Sequence, residues 1–291
     1  MVGRLFAAHQ LTCGEIGLER SIVLREYPPA TDAAPAPQAD YLACCNDTLS
    51  AKPVRIRTDE HGFIVTGGSL DADLPCVLVL GDSVVENYWI DEHCRACAVL
   101  ESILLSQGYA YRVLNGGTTG VNSLHAYNIY INKGIPLRPA ALILMTGAID
   151  AMSEVSGRSL WKDALKPSSE VRYSQEAHLE RDAVRRLFLS ACRALNVPLI
   201  FTTIGYAPSA STCYGMRLTP NADMLWPAAM DALNDKTRAF AVQNRSDLID
   251  LALDMDGRED LFYDGLHANV AGCALIADKM AQALMKILPA R

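Results

Sequence analysis

The chain has 291 residues, 50% of them hydrophobic and 20% charged, which is enough apolar material to offset the entropy of ordering the chain and excludes wholesale disorder. Lys and Arg number 26 against 33 Asp and Glu, a formal charge of −7 with no basic run, which argues against a nucleic-acid partner. Its longest apolar runs fall far short of the ~20 residues that a membrane-spanning helix needs.

At the N-terminus, His9 and Gln10 interrupt a weakly apolar start before the core of a signal peptide can form, so export is not expected. Nine cysteines, an odd number without framework spacing, suit free thiols in a reducing compartment. A cytoplasmic protein without structural disulfides is the expectation. Residues 25–53 concentrate proline, alanine and short polar side chains, a composition of irregular loop. Residues 54–65 alternate apolar and polar side chains around Asp59-Glu60-His61-Gly62, which predicts a small β-hairpin. Residues 1–75 therefore read as an N-terminal arm with a hairpin, and 76–291 as the main domain.

From residue 76 apolar runs alternate with amphipathic ones. Strands are predicted at 76–80, 111–114, 141–145, 198–203 and 248–253, and helices near 93–107, 122–132, 175–195, 222–243 and 268–288. Strands alternating with helices imply right-handed crossovers and a parallel sheet covered on both faces, a three-layer α/β fold with a five-stranded sheet. In such sheets ligands bind beyond the carboxyl ends of the strands, which directs attention to the turns there.

The first strand runs into Gly81-Asp82-Ser83, which puts a serine hydroxyl above the sheet edge, where it can serve as a nucleophile or cap the next helix. The second ends in Asn115-Gly116-Gly117-Thr118-Thr119-Gly120, whose glycines allow a close approach of backbone donors to a ligand; no Gly-Lys-Ser/Thr follows, which disfavours a nucleotide loop. Near the C-terminus, Asp264-Gly265-Leu266-His267 places a carboxylate three residues before an imidazole, so that the acid can accept from one ring nitrogen while the other faces a nucleophile. All three features fall on one edge of the predicted sheet.

With these blocks in order, the sequence resembles the SGNH (GDSL-type) hydrolases, a serine esterase and lipase superfamily with a flavodoxin-like fold. Gly81-Asp82-Ser83 corresponds to its first block, Asn115-x-Gly117-x-x-Gly120 to the second, Gly147-Ala148-Ile149-Asp150 to the third and Asp264-x-x-His267 to the fifth. The resemblance implies Ser83 as nucleophile, His267 as general base, Asp264 as its orienting acid and the amides of Ser83 and Gly117 as oxyanion donors, with Asp150 a structural carboxylate. It implies a serine esterase acting on a small-molecule or carbohydrate ester through an acyl-enzyme, with no cofactor and no metal. Two departures stand out. The third block normally carries an asparagine donor where this chain has Ile149, for which Asn122 or Thr118 are the candidate substitutes. The first block commonly continues to a glycine, where this chain has Val84-Val85-Glu86-Asn87.

Cys94-x-x-Cys97 has no second Cys/His pair and lies on one face of a helical pattern, which favours core packing over zinc. His9, His61, His93, His125 and His178 form no ligand motif. Trp161, Tyr173, Tyr206 and Tyr214 lie in the loops expected to shape a substrate, with Trp226 just beyond; they suit a ring face and equally suit ordinary packing. Three other readings share these residues: acyl transfer, a non-catalytic binding domain that has lost turnover with the asparagine, and a flavodoxin-like phosphate or flavin binder. The last gives no reason for Asp264 and His267.

Overall fold

Five short strands pair in parallel as the centre of the structure, the inner ones extended because β-branched and leucine side chains fill a buried pleat. The computed structural model describes residues 25–67, 73–155, 160, 175–207 and 220–291. Its elements are β1 (Asp32–Ala33), α1 (Ala39–Leu42), β2 (Ile56–Arg57), β3 (Cys76–Gly81), α2 (Ser83–Glu86), α3 (Ala96–Ser106), β4 (Arg112–Gly117) and α4 (Ser123–Ile129). There follow β5 (Ala141–Met145), α5 (Ala148–Val155), α6 (Gln175–Leu195), β6 (Leu199–Thr202), α7 (Pro220–Asn244), β7 (Asp247–Ile249), α8 (Leu251–Met255) and α9 (Val270–Leu284). The main sheet has the order β4-β3-β5-β6-β7, all parallel.

Alternate strand residues divide the core into two layers. Val77, Val79, Val113, Ile143 and Ile200 pack with Leu100, Leu104, Ile276 and Met280, so α3 and α9 cover one face. Leu78, Leu80, Leu114, Leu142 and Phe201 pack with Leu124, Ile129, Phe188 and Phe240 of α4, α6 and α7 on the other. The chain leaves β3 for β4 on one side and returns to β5 on the other. That reversal of strand order opens a crevice above the carboxyl end of β3.

The expected strand at 248–253 stops at Ile249, because Asp250 accepts a hydrogen bond from the Leu253 amide and starts α8 instead. Residues 148–155, where no helix is predicted, form α5. Ahead of the sheet, β1 and β2 pair antiparallel. The chain then folds back, with the Asp59 amide donating to Phe63 O and the Val65 amide to Arg57 O, and Asp59 Oδ1 accepting from the amides of His61 and Phe63. Ile64 N–H donates to Asn115 O at 2.8 Å and so covers the free edge of β4.

Cys97 is buried in the core with Cys94 packed against it, and no group of potential metal ligands occurs among the described residues. Cys44 is disulfide-bonded, against the expectation of no structural disulfide; residue parity says nothing about which sulfurs meet in space. Six other cysteines, Cys45, Cys76, Cys94, Cys97, Cys192 and Cys273, are free. No helix among the described residues is long and apolar enough to cross a membrane.

Gly81 closes β3 where a Cβ would meet Met145 O at 2.2 Å and Val85 Cγ2 at 2.4 Å. Gly81→Ala should therefore destabilise by about 1–3 kcal/mol, as overpacking does. Chemical denaturation read by circular dichroism checks this, and an unchanged midpoint would mean that β3 and β5 separate at no cost.

Candidate active site

Ser83 begins α2, but the cap of that helix is Asp82, whose Oδ1 accepts from the Val84 amide at 3.0 Å. Capping is thus satisfied by the preceding residue, and the Ser83 hydroxyl is left to point at the crevice, where its Oγ lies 2.8 Å from His267 Nε2. The other ring nitrogen, Nδ1, lies 2.7 Å from Asp264 Oδ2. Asp264 Oδ1 accepts the amides of Leu266 at 2.8 Å and His267 at 2.6 Å, so the loop that carries the imidazole also fixes the carboxylate. Tyr263 stacks on the His267 ring at 5.7 Å with the planes 9° apart.

That loop is tied down on both sides. Asn269 caps α9 by accepting from the amides of Ala271 and Gly272, and its Nδ2 donates to Asp260 O at 2.9 Å. Asn87, at φ 43°, occupies the left-handed conformation at the end of α2, where asparagine is among the few tolerated non-glycine residues. Its Nδ2 donates to Ala268 O at 2.8 Å, which links the serine turn to the histidine loop. The departure from glycine in the first block is therefore a structural tie.

Carboxylates surround the imidazole. Asp82 is fully buried and its Oδ2 accepts the Ala148 amide at 3.1 Å; burial lifts its carboxyl to about 6, against the Val84 hydrogen bond and with Asp150 adding to the rise. Burial likewise pushes Glu86 up, partly offset by hydrogen bonds from the hydroxyls of Thr119 and Tyr27. For Asp264 burial also pulls upward, but the charge and hydrogen bonds of His267 and the two amides outweigh it and hold the carboxyl below its usual range. Burial alone would lower the His267 pKa; Asp264, then Asp82 and Glu86, raise it above its ordinary 6.5.

The Ser83, Asp264 and His267 expected from sequence thus come together, whereas Gly117 does not join them. Its amide donates to Asn115 Oδ1 at 2.9 Å, and a Cβ there would meet Glu86 N at 2.2 Å. The close approach that this glycine permits is to the backbone of α2. Gly120, at φ 78°, faces the cavity instead. Asn122 is no substitute for a donor at 149: its Oδ1 caps α4 and its Nδ2 donates to Leu160 O. Thr118 does not line the cavity, and the hydroxyl of Thr119, which does, is given to Glu86. Asp150 accepts from the amide and hydroxyl of Ser123 and joins α5 to α4.

The cavity above Ser83 holds about 300 Å³. Ile149, Met152 and Leu266 form an apolar wall and Tyr41, Tyr88 and Trp89 an aromatic one. None of these three aromatic residues stands out in the sequence, because each lies outside the family blocks. Of the aromatic residues that suit either a ring face or packing, Tyr206 and Trp226 take the packing role in the core; the Tyr206 hydroxyl donates to Asp231 Oδ1 at 2.7 Å. Trp161, Tyr173 and Tyr214 lie outside the described residues.

Comparison with known proteins places this geometry in a family. No curated protein matches the sequence. Among solved structures, the lipase/acylhydrolase from Enterococcus faecalis superposes with a TM-score of 0.56 at 14% identity, over 75% of this chain and 99% of that one. A catalytic mutant of an acetylxylan esterase from Geobacillus stearothermophilus gives 0.52 at 17%, over 73% and 94%. The acetyl xylan esterase AlAXEase gives 0.52 at 17%, over 72% and 98%. These likenesses establish the fold, the flavodoxin-like three-layer arrangement of SGNH hydrolases. The profile of the GDSL-like lipase/acylhydrolase family matches residues 79–275, more than half of the sequence, and the chain therefore belongs to that family of ester-cleaving serine hydrolases.

Proposed function

We propose that the protein cleaves a carboxylic ester through an acyl-enzyme formed on Ser83. The observation that carries this reading is the continuous hydrogen-bonded line from Ser83 Oγ through His267 to Asp264 at 2.8 and 2.7 Å. His267 Nε2 takes the hydroxyl proton as Oγ attacks the carbonyl carbon, and returns it to the departing alkoxide; water then repeats the attack and releases the acid. Asp264 stays ionised, holds the ring and stabilises its charged form. The amides of Ser83, at the start of α2, and of Gly120 are assigned to the developing oxyanion. Neither makes a hydrogen bond among the described residues. An acylated carbohydrate is the substrate favoured by the acetylxylan esterases among the structural relatives, and a sugar hydroxyl in place of water would make the same site an acyltransferase.

Ser83→Ala should abolish hydrolysis of a short activated ester and labelling by a fluorophosphonate, with melting unchanged. Equal turnover by the wild type and this variant, after contaminants are excluded, refutes the reading. Because the imidazole must be neutral to accept the proton, and neighbouring carboxylates raise its pKa, kcat/KM should climb with pH through a midpoint above 6.5. A flat profile, or a midpoint below that value, argues against His267 as the base.

Ile149 supports a second reading, a binding domain that has lost turnover, because an apolar side chain only 6% exposed lines the cavity where the family carries a donor. Ile149→Asn decides between them. In a weakened enzyme it should raise kcat by up to ~10²–10³, the usual worth of one oxyanion donor, with KM less affected. Burying an amide among Ala148 and Met152 also costs stability, so melting is recorded alongside. If the variant folds and neither it nor the wild type is labelled by a fluorophosphonate, the binding domain is the correct reading.

A further inference from the structure

Residues ahead of the span matched by the family reach into the site. Tyr41, on α1, donates its hydroxyl to Asp264 Oδ2 at 2.8 Å, the same oxygen that faces His267 Nδ1 at 2.7 Å. Its ring stands 6.2 Å from that of Trp89 and forms part of the cavity wall. The segment is held there by Asn46, whose amide donates to Tyr263 O at 2.9 Å and whose Nδ2 donates to Phe262 O at 2.7 Å.

Asp264 does not need Tyr41 to stay in place, since its Oδ1 is gripped by the amides of Leu266 and His267. The phenol acts on charge. A neutral donor on Oδ2 draws off part of the negative charge with which the carboxylate stabilises an imidazolium. We infer that Tyr41 is a positioning residue that lowers the basicity of His267 through Asp264, and that the N-terminal segment is thereby part of the working site. The inference rests on the esterase reading for its consequence in turnover but not for its geometry. The other ionisable groups near the relay are Asp82 and Glu86, which raise the imidazole, Tyr263, stacked on the ring, and Cys45, beside Asp264 and Tyr41.

Tyr41→Phe keeps the ring and the wall and removes only the donor. The acid limb of kcat/KM should move to higher pH by about half a unit, a fraction of what one hydrogen bond to a charged acceptor is worth because the effect reaches the ring through Asp264, with KM nearly unchanged. The His267 ring, titrated by NMR without substrate, should shift equally. That second readout separates two failures: a wild type that neither hydrolyses esters nor takes a fluorophosphonate defeats the esterase reading, while the titration still tests Tyr41. If Tyr41→Phe is insoluble, Tyr41→Met, of similar bulk without a hydroxyl, must give the same upward shift. Superimposable titrations for wild type and variant overturn the inference. So does a shift to lower pH, which would mean that Tyr41 only keeps Asp264 from turning away.

Discussion

Four hydrogen bonds converge on the Asp264 carboxylate, from the amides of Leu266 and His267, the His267 ring and the Tyr41 hydroxyl. A side chain this deeply buried cannot stay ionised without such partners, because removing a charge from water costs far more than a single contact returns. The set of donors therefore explains both why the carboxylate is charged and why the imidazole sits where it does. The four donors have three structural origins: two amides come from the turn between Asp264 and His267, one donor is the ring itself, and one comes from a segment more than two hundred residues earlier in the chain.

The remaining carboxylates follow the same rule with weaker donors. Asp82 is satisfied by the amides of Val84 and Ala148, which ties the serine turn to the first turn of α5. Glu86 is met by hydroxyls from Tyr27 and Thr119, one from the N-terminal segment and one from the loop after β4. These buried acids do two things at once. They cross-link the turns at the carboxyl edge of the sheet, and they bathe His267 in negative charge that offsets the effect of burial on its pKa. Gly81 and Gly117 make the cross-linking possible, since only a residue without Cβ lets α2 lie so close to the strand ends.

The cavity above this polar layer is of the opposite character. Tyr88 and Trp89 meet edge to face at 4.5 Å, an arrangement aromatic quadrupoles favour, and Ile149 with Met152 closes the far side. Ile149 puts a nearly buried apolar side chain in the lining of the space beside Ser83.

Periodicity within a few residues was sufficient for most of the architecture. The continuous apolar runs at 76–80 and 141–145, buried at every position, and the helical spacing of 93–107 and 175–195 are read from neighbours, because a buried strand and a helix each declare themselves over a handful of residues. Ser83, Asp264 and His267 were legible for a related reason, since each sits in a short block whose spacing reflects one turn. Contacts between distant segments were not legible in this way. Whether Gly117 or Gly120 faces the cavity depends on where β4 meets α2, and 248–253 divides into strand and helix because Asp250 can cap. The contact of Tyr41 with Asp264 and with the ring of Trp89 arises from how the N-terminal segment lies across the finished domain. Side chains brought together by folding over such separations leave no local pattern, so only the packed structure could bring Tyr41 to Asp264.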